Sequence, residues 1–150
     1  MGNNLLWLIQ EKYPDKKIIV WAANFHITKN TDKIEPKKKT YVDIVTTGNE
    51  IFNAIGNQAY ILGFNSYSGN FGRVGINKTF NIKKPKGESF ENWVSQKKYD
   101  YAFINFRNLS NITNSFNMKG LRHISEKGNW TQVFDGIFYI KTMYPCDKIE

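Results

Sequence analysis

The apolar positions fall into short runs separated by polar, glycine- or proline-bearing stretches, and their period changes along the chain. From Asn3 to Tyr13 the residues Leu5, Leu6, Leu8, Ile9 and Tyr13 fall mostly on one face at helical spacing, with Asn3 or Asn4 available as N-cap. Pro14 and Asp15 end that helix. Lys16 to Ala23 reads Ile18-Ile19-Val20-Trp21-Ala22-Ala23, a continuous apolar run without alternation. Such a run predicts a central parallel strand over Lys17 to Ala22, nearly fully buried. Asn24 to Thr40 is polar, lysine-rich and carries Pro36, so it reads as a long loop after the carboxyl end of that strand.

The pattern then turns helical over Tyr41 to Ile55, at least from Thr47, with Gly56 placed to end it. Ala59 to Phe64 reads as a second short strand. Gly69, Gly72 and Gly75 mark turns or close backbone approach in Asn65 to Gly75, which is counted as a turn, and Arg73 to Lys83 alternates as a half-exposed strand. Ser89 to Lys98 is a short helix with Ser89 as N-cap and Phe90, Trp93 and Val94 facing inward. Asp100 to Arg107 is a strongly apolar strand and Asp135 to Tyr144 a last one. Between them, Asn108 to Gly128 carries no clear period. Apolar strands separated by helices predict an α/β class, with a mostly parallel or mixed sheet flanked by helices. No composition shift divides residues 1–150 into two domains.

Composition narrows this picture. With 41% hydrophobic and 15% aromatic residues, 150 residues can build a real core. No apolar run approaches the ~20 residues of a membrane-spanning helix. The first nine residues have no leading basic charge, so no export signal is read and the expected location is the cytoplasm. The single Cys146 excludes an intramolecular disulfide and an all-cysteine metal site. The net charge of +8 raises a basic binding module for nucleic acid or another polyanion as an alternative. The only dense basic run is Lys37-Lys38-Lys39, and the remaining lysines are dispersed, which favours a solvated surface over a nucleic-acid site.

Chemistry near neutral pH usually asks for a histidine, and there are two. His26 follows the predicted strand at the end where open α/β sheets place their ligands, so it is expected to be accessible and to share that end with the Asn65–Gly75 segment. The alternative for His26 is a loop histidine bonded to backbone. His123 has no nucleophile or carboxylate in recognisable spacing and reads as structural. No zinc spacing and no Gly-x-Ser-x-Gly nucleophile elbow is present.

Met1-Gly2-Asn3-Asn4-Leu5-Leu6-Trp7-Leu8 follows the pattern Met-x-x-Asn-Leu-x-Trp-Leu, and the segment ending Trp21-Ala22-Ala23-Asn24-Phe25-His26 follows Trp-Ala-His-Asn-x-His. With Tyr60-Ile61-Leu62-Gly63-Phe64 and Phe134-Asp135-Gly136-Ile137-Phe138-Tyr139-Ile140 in the same order, nearly the whole chain resembles the erythromycin esterase family. The resemblance implies hydrolysis of a carboxylic ester, a macrolide lactone among them, by water that a histidine activates, without metal or cofactor. It implies His26 as catalytic and Asn24 as substrate-binding. Ala23 stands where the family pattern has its first histidine, and the family's further histidine and glutamate lie in a Gly-Glu-x-x-His-type segment with no counterpart here. Because Met1 matches an internal methionine of the family helix, the chain is expected to be the C-terminal part of a larger α/β domain, inactive alone. Its expected partner is a small-molecule ester once the site is completed. A non-catalytic remnant that self-associates through an unpaired sheet edge is the other reading.

Overall fold

A computed structural model describes residues 2–35, 41, 44–73, 76–109 and 114–145. The chain opens on helix α1 (Gly2–Trp7), which continues as a π-helical turn over Leu8–Lys12, close to the span read from periodicity. The loop that follows Ala23 contains a four-residue helix α2 (Asn24–Ile27) and a short strand β1 (Ile34–Glu35). Helix α3 (Thr47–Ile55) starts where the Thr46 side chain accepts a hydrogen bond from the Asn49 N–H, and ends at Gly56 with φ +53°. Strands β2 (Leu62–Arg73) and β3 (Ile76–Ile82) form an antiparallel pair. Helix α4 (Phe90–Gln96) has Ser89 as its N-cap, accepting from the Asn92 N–H. Strands β4 (Tyr101–Asn105), β5 (Phe116–Met118) and β6 (Glu126–Gly128), helix α5 (Trp130–Val133) and strand β7 (Gly136–Met143) complete the order.

Two sheets result. The larger has the order β3-β2-β7-β4, in which β2 and β7 are parallel and the outer pairs antiparallel, so the sheet is mixed. The smaller, β1-β6-β5, is antiparallel. Helix α4 packs on β2 and β7 and on β5. Between the layers lie Phe90, Val94, Phe106, Trp130, Phe134 and Ile137, each at most 7% exposed. Trp130 and Phe134 stack at 6.3 Å between ring centroids, which anchors the short helix α5 to the first residues before β7. No helix among the described residues is long and apolar enough to cross a membrane.

Two expectations are corrected. Lys17 to Ala22 forms no strand and is not buried: it pairs with no strand of either sheet, and Ile19 and Trp21 are 92% and 82% exposed. Its apolar run calls for cover on both faces, and no described element supplies that cover. The glycine-rich segment from Asn65 is strand and not a set of turns. Gly69 is there because a Cβ would run into the backbone of Met143 in the neighbouring β7, and its φ of +118° is open to glycine alone at little cost. Val74 and Gly75 lie outside the described residues.

Candidate active site around His26

Helix α2 is too short to be stable by propensity, since isolated helices need roughly 12–15 residues. Its first residue holds it in place. The Asn24 side-chain amide donates to the Phe64 carbonyl and to the Gly120 carbonyl, both at 2.6 Å, while its Oδ1 accepts from the Phe64 N–H at 2.9 Å. Phe64 lies in the part of β2 that precedes its pairing with β3, so one edge of the strand has no neighbouring strand there. The Asn24 amide occupies that edge as a peptide group of a further strand would, closing N–H and C=O together. Both of its donors and one acceptor lone pair are thereby committed to backbone.

Further along β2 lies Lys119, a buried residue whose ammonium donates to the carbonyls of Ser66 and Tyr67 in β2 and of Lys83 just after β3, at 3.0, 2.7 and 2.8 Å. Burial pushes the Lys119 ammonium below its ordinary range, and the nearby Glu91 carboxylate counters this in part. The Lys119 N–H and the Asn65 side-chain amide both donate to Glu91 Oε1, at 2.6 and 2.8 Å, which ties α4 to β2 and to the segment after β5.

A second anchor follows α2. Thr28 is buried, donating to the Phe25 carbonyl, and its own carbonyl accepts from Thr46 Oγ1. The next residue, Lys29, is buried and sits 2.7 Å from Asp135 Oδ1, with its ammonium 4.2 Å from the Phe52 ring centroid. Arg107 approaches the same carboxyl oxygen at 3.2 Å, and the Ile61 N–H donates to the other oxygen at 2.8 Å. Burial alone pushes the Asp135 carboxyl up, but the hydrogen bonds from Lys29, Ile61 and Arg107 outweigh it and hold the group below its ordinary range.

Between these anchors His26 is exposed, its ring 5.7 Å edge-on from Phe25. Phe25 in turn packs on Tyr41 and lies 5.1 Å from the guanidinium of Arg122. Arg122 is therefore a cation close to α2 that sequence reasoning did not single out, because nothing local in the sequence joins positions so far apart. The neighbouring His123 turns to the β2–β3 pair, 4.6 Å from the Phe71 ring, at φ +57°. Burial, helped by the charge of Lys119, pushes its imidazole down. Among the described residues no carboxylate forms an ion pair with His26 and no group of three metal-ligating side chains occurs. Ala23 is exposed and its carbonyl accepts from the His26 N–H at 2.9 Å.

His26 is accessible as expected, but residues 65–73 are strand and not a loop at the sheet end that His26 was expected to share with them. Its helix lies beside Phe64, in the first third of β2, and the glycine segment is strand. An apolar hollow of about 550 Å³ lies elsewhere: Phe90, Trp93, Phe106, Leu109 and Phe116 line it between α4 and β5. These are largely the rings that close the core, so the hollow reads as the core's rim and not as the site of chemistry.

Comparison with known proteins agrees with this architecture. The model of the family described as erythromycin esterase matches residues 1–143. The chain is 28% identical over 151 residues to erythromycin esterase type II of Escherichia coli, covering 94% of this chain and 35% of that protein. It is 24% identical over 158 residues to the putative hydrolase YbfO of Bacillus subtilis (strain 168), covering 100% of this chain and 35% of the relative. Among solved structures, a succinoglycan biosynthesis protein superposes with a TM-score of 0.72 at 19% identity, over 94% of this chain and 36% of its own. An erythromycin esterase mutant, EreC in its open conformation, superposes with a TM-score of 0.65 at 13% identity, over 94% and 35%. The chain thus spans about a third of the length of the relatives it matches.

Proposed function

Because the chain belongs to the erythromycin esterase family, we propose that it contributes the His26 side of a carboxylic-ester-hydrolysing site, with a macrolide lactone or another small-molecule ester as substrate. The observation that carries this reading is the accessible imidazole of His26 on a helix held from both sides, by Asn24 on β2 and by Lys29 on Asp135. In hydrolysis the imidazole takes a proton from water as the water oxygen bonds to the acyl carbon. The acyl C–O bond then breaks, and the proton passes to the departing alkoxide. Asn24 acts as a positioning residue, because its amide is spent on Phe64 and Gly120.

Attack on the acyl carbon also needs a donor for the developing oxyanion and a group that orients the imidazole, each worth orders of magnitude in rate. Ala23 offers neither in its side chain. The chain alone is therefore expected to stay at background. The test is hydrolysis of p-nitrophenyl acetate and lactone opening of erythromycin by the purified chain, by His26→Ala, and by each of these refolded with the part of the E. coli relative outside the matched region. Turnover only in the completed form, lost in His26→Ala, supports the reading. Turnover by the completed form that survives His26→Ala removes His26 from the chemistry, and His26-dependent turnover by the chain alone shows that no further groups are needed.

A further inference from the structure

Arg122 stands beside the candidate base without a counter-ion among the described residues. It follows the buried run Met118 to Leu121, whose backbone is fixed. The Lys119 N–H donates to Glu91 Oε1, the Gly120 carbonyl accepts from the Asn24 amide, and a Cβ on Gly120 would run into the Trp130 ring. The exposed side chain that comes next therefore starts from a rigid base. Its guanidinium lies over the Phe25 ring, 5.1 Å from the centroid, and the His26 ring stands edge-on to the same phenyl group at 5.7 Å between centroids. Imidazole and guanidinium thus border one aromatic ring, and a small ester lying along that ring reaches both.

The other described cations near this end of the molecule are spoken for: Lys29 and Arg107 share Asp135, and Lys33 pairs with Asp32. Glu126, in the same segment as Arg122, is buried and accepts from the Tyr41 hydroxyl. Strands β2 and β3, which Asn24 and His123 touch, contain no acidic residue and carry Arg73 and Lys78. The charge around His26 is thus positive, and a positive surface concentrates anions and repels cations. A guanidinium presents its N–H groups as a planar fork, and lying on a ring holds the fork in place while its edge stays free to donate. We infer that Arg122 is a specificity-determining residue of the His26 site, and that the ester it selects bears a carboxylate besides its scissile acyl group. One fork with one positive charge matches a carboxylate in shape and in charge, whereas a phosphate brings nearly twice the charge. The inference rests on the reading of His26 as the base and narrows it, since an ester with an ammonium in the same place is disfavoured.

The test reads binding without hydrolysis, using two amides in place of esters on the purified chain. One is the mono-p-nitroanilide of succinic acid, which bears a carboxylate, and the other the p-nitroanilide of butyric acid, which does not. Chemical-shift titration follows the Arg122 Nε–H and the His26 imidazole. The carboxylate probe is expected to shift both signals and to bind about fivefold tighter than the neutral one at low salt. Sodium chloride at about 1 M, where screening acts within a few ångströms, should abolish the preference. Arg122→Gln is expected to equalise the two probes, and Arg122→Lys to keep part of the preference, because the charge remains when the fork is lost. His26→Ala should leave the preference intact, so the two readings fail separately: turnover by the completed form that survives His26→Ala counts against the base and not against Arg122. Equal affinity for the two probes, no shift at either residue with the carboxylate probe, or a preference that persists in Arg122→Gln would each overturn the inference.

Discussion

Asn24 gives the sharpest test of whether the site is built as described. Replacing it with alanine removes three hydrogen bonds and leaves the Phe64 N–H and C=O and the Gly120 C=O without their protein partner. A hydrogen bond contributes a net ~1 kcal/mol, and the residue is half-buried, so water recovers part of each loss; the expected cost is about 2–4 kcal/mol. For a chain of this size that lowers the melting temperature by roughly 5–15 °C. Asn24→Asp is the discriminating variant. It keeps the shape and the acceptor toward the Phe64 N–H but presents a carboxylate oxygen to two carbonyl oxygens, so it should cost at least as much as alanine. Its penalty should grow as pH rises through the titration of the introduced carboxyl, because only the protonated form can donate. Thermal unfolding by circular dichroism and urea titration measure both. If Asn24→Ala and Asn24→Asp melt within about 1 °C of the parent chain, the amide does not hold α2, and a direct role toward substrate becomes the better account.

Two further outcomes follow from buried charge. The Asp135 carboxyl is held below its ordinary value of 3.8, so the stability it contributes is complete above that pH and is lost as pH falls through the lower, folded value. Asp135→Asn should cost about 3–5 kcal/mol near neutrality, since it strands Lys29 and Arg107, and should flatten the acid limb of a stability-versus-pH curve; an unchanged limb would mean the carboxyl is not paired in solution. For His123 the folded imidazole lies below 6.5, so the unfolded chain takes up a proton first and stability falls as pH drops below that value. His123→Asn, which tolerates the same left-handed backbone, should reduce the fall in melting temperature between pH 7 and pH 5, and equal slopes would argue against a buried neutral imidazole.

Elements whose signals are local were legible in the sequence. Ser89 caps α4 as its position before Phe90 implies, and the runs in β4 and β7 are strands. Elements held by distant partners were not. α5 spans four residues and exists because Trp130 is buried against Phe134, while β5 and β6 are three residues each and owe their form to pairing. Gly69 shows a related limit: a glycine needed for close approach to another strand has the same appearance in sequence as one needed for a turn. Ile18 to Trp21 shows the limit of hydropathy, which reports that a segment calls for cover but not which polypeptide supplies it.

The site itself follows the same division. His26 is found from its residue type and from the family pattern, yet nothing near it in sequence explains why a four-residue helix should hold an imidazole steady. The explanation lies 40 and 96 residues away, in Phe64 and Gly120, where one primary amide replaces a missing strand. Lys119, beside Gly120, takes the Ser66 carbonyl further along β2, together with those of Tyr67 and Lys83, with an ammonium that stays buried only because three acceptors surround it. An open strand edge is ordinarily a liability for aggregation. Here two polar side chains close it, and the one nearer the amino end carries the candidate base two residues further on. Edge protection and placement of His26 are thus one device, which is why a substitution at Asn24 is expected to read out in stability before it reads out in chemistry.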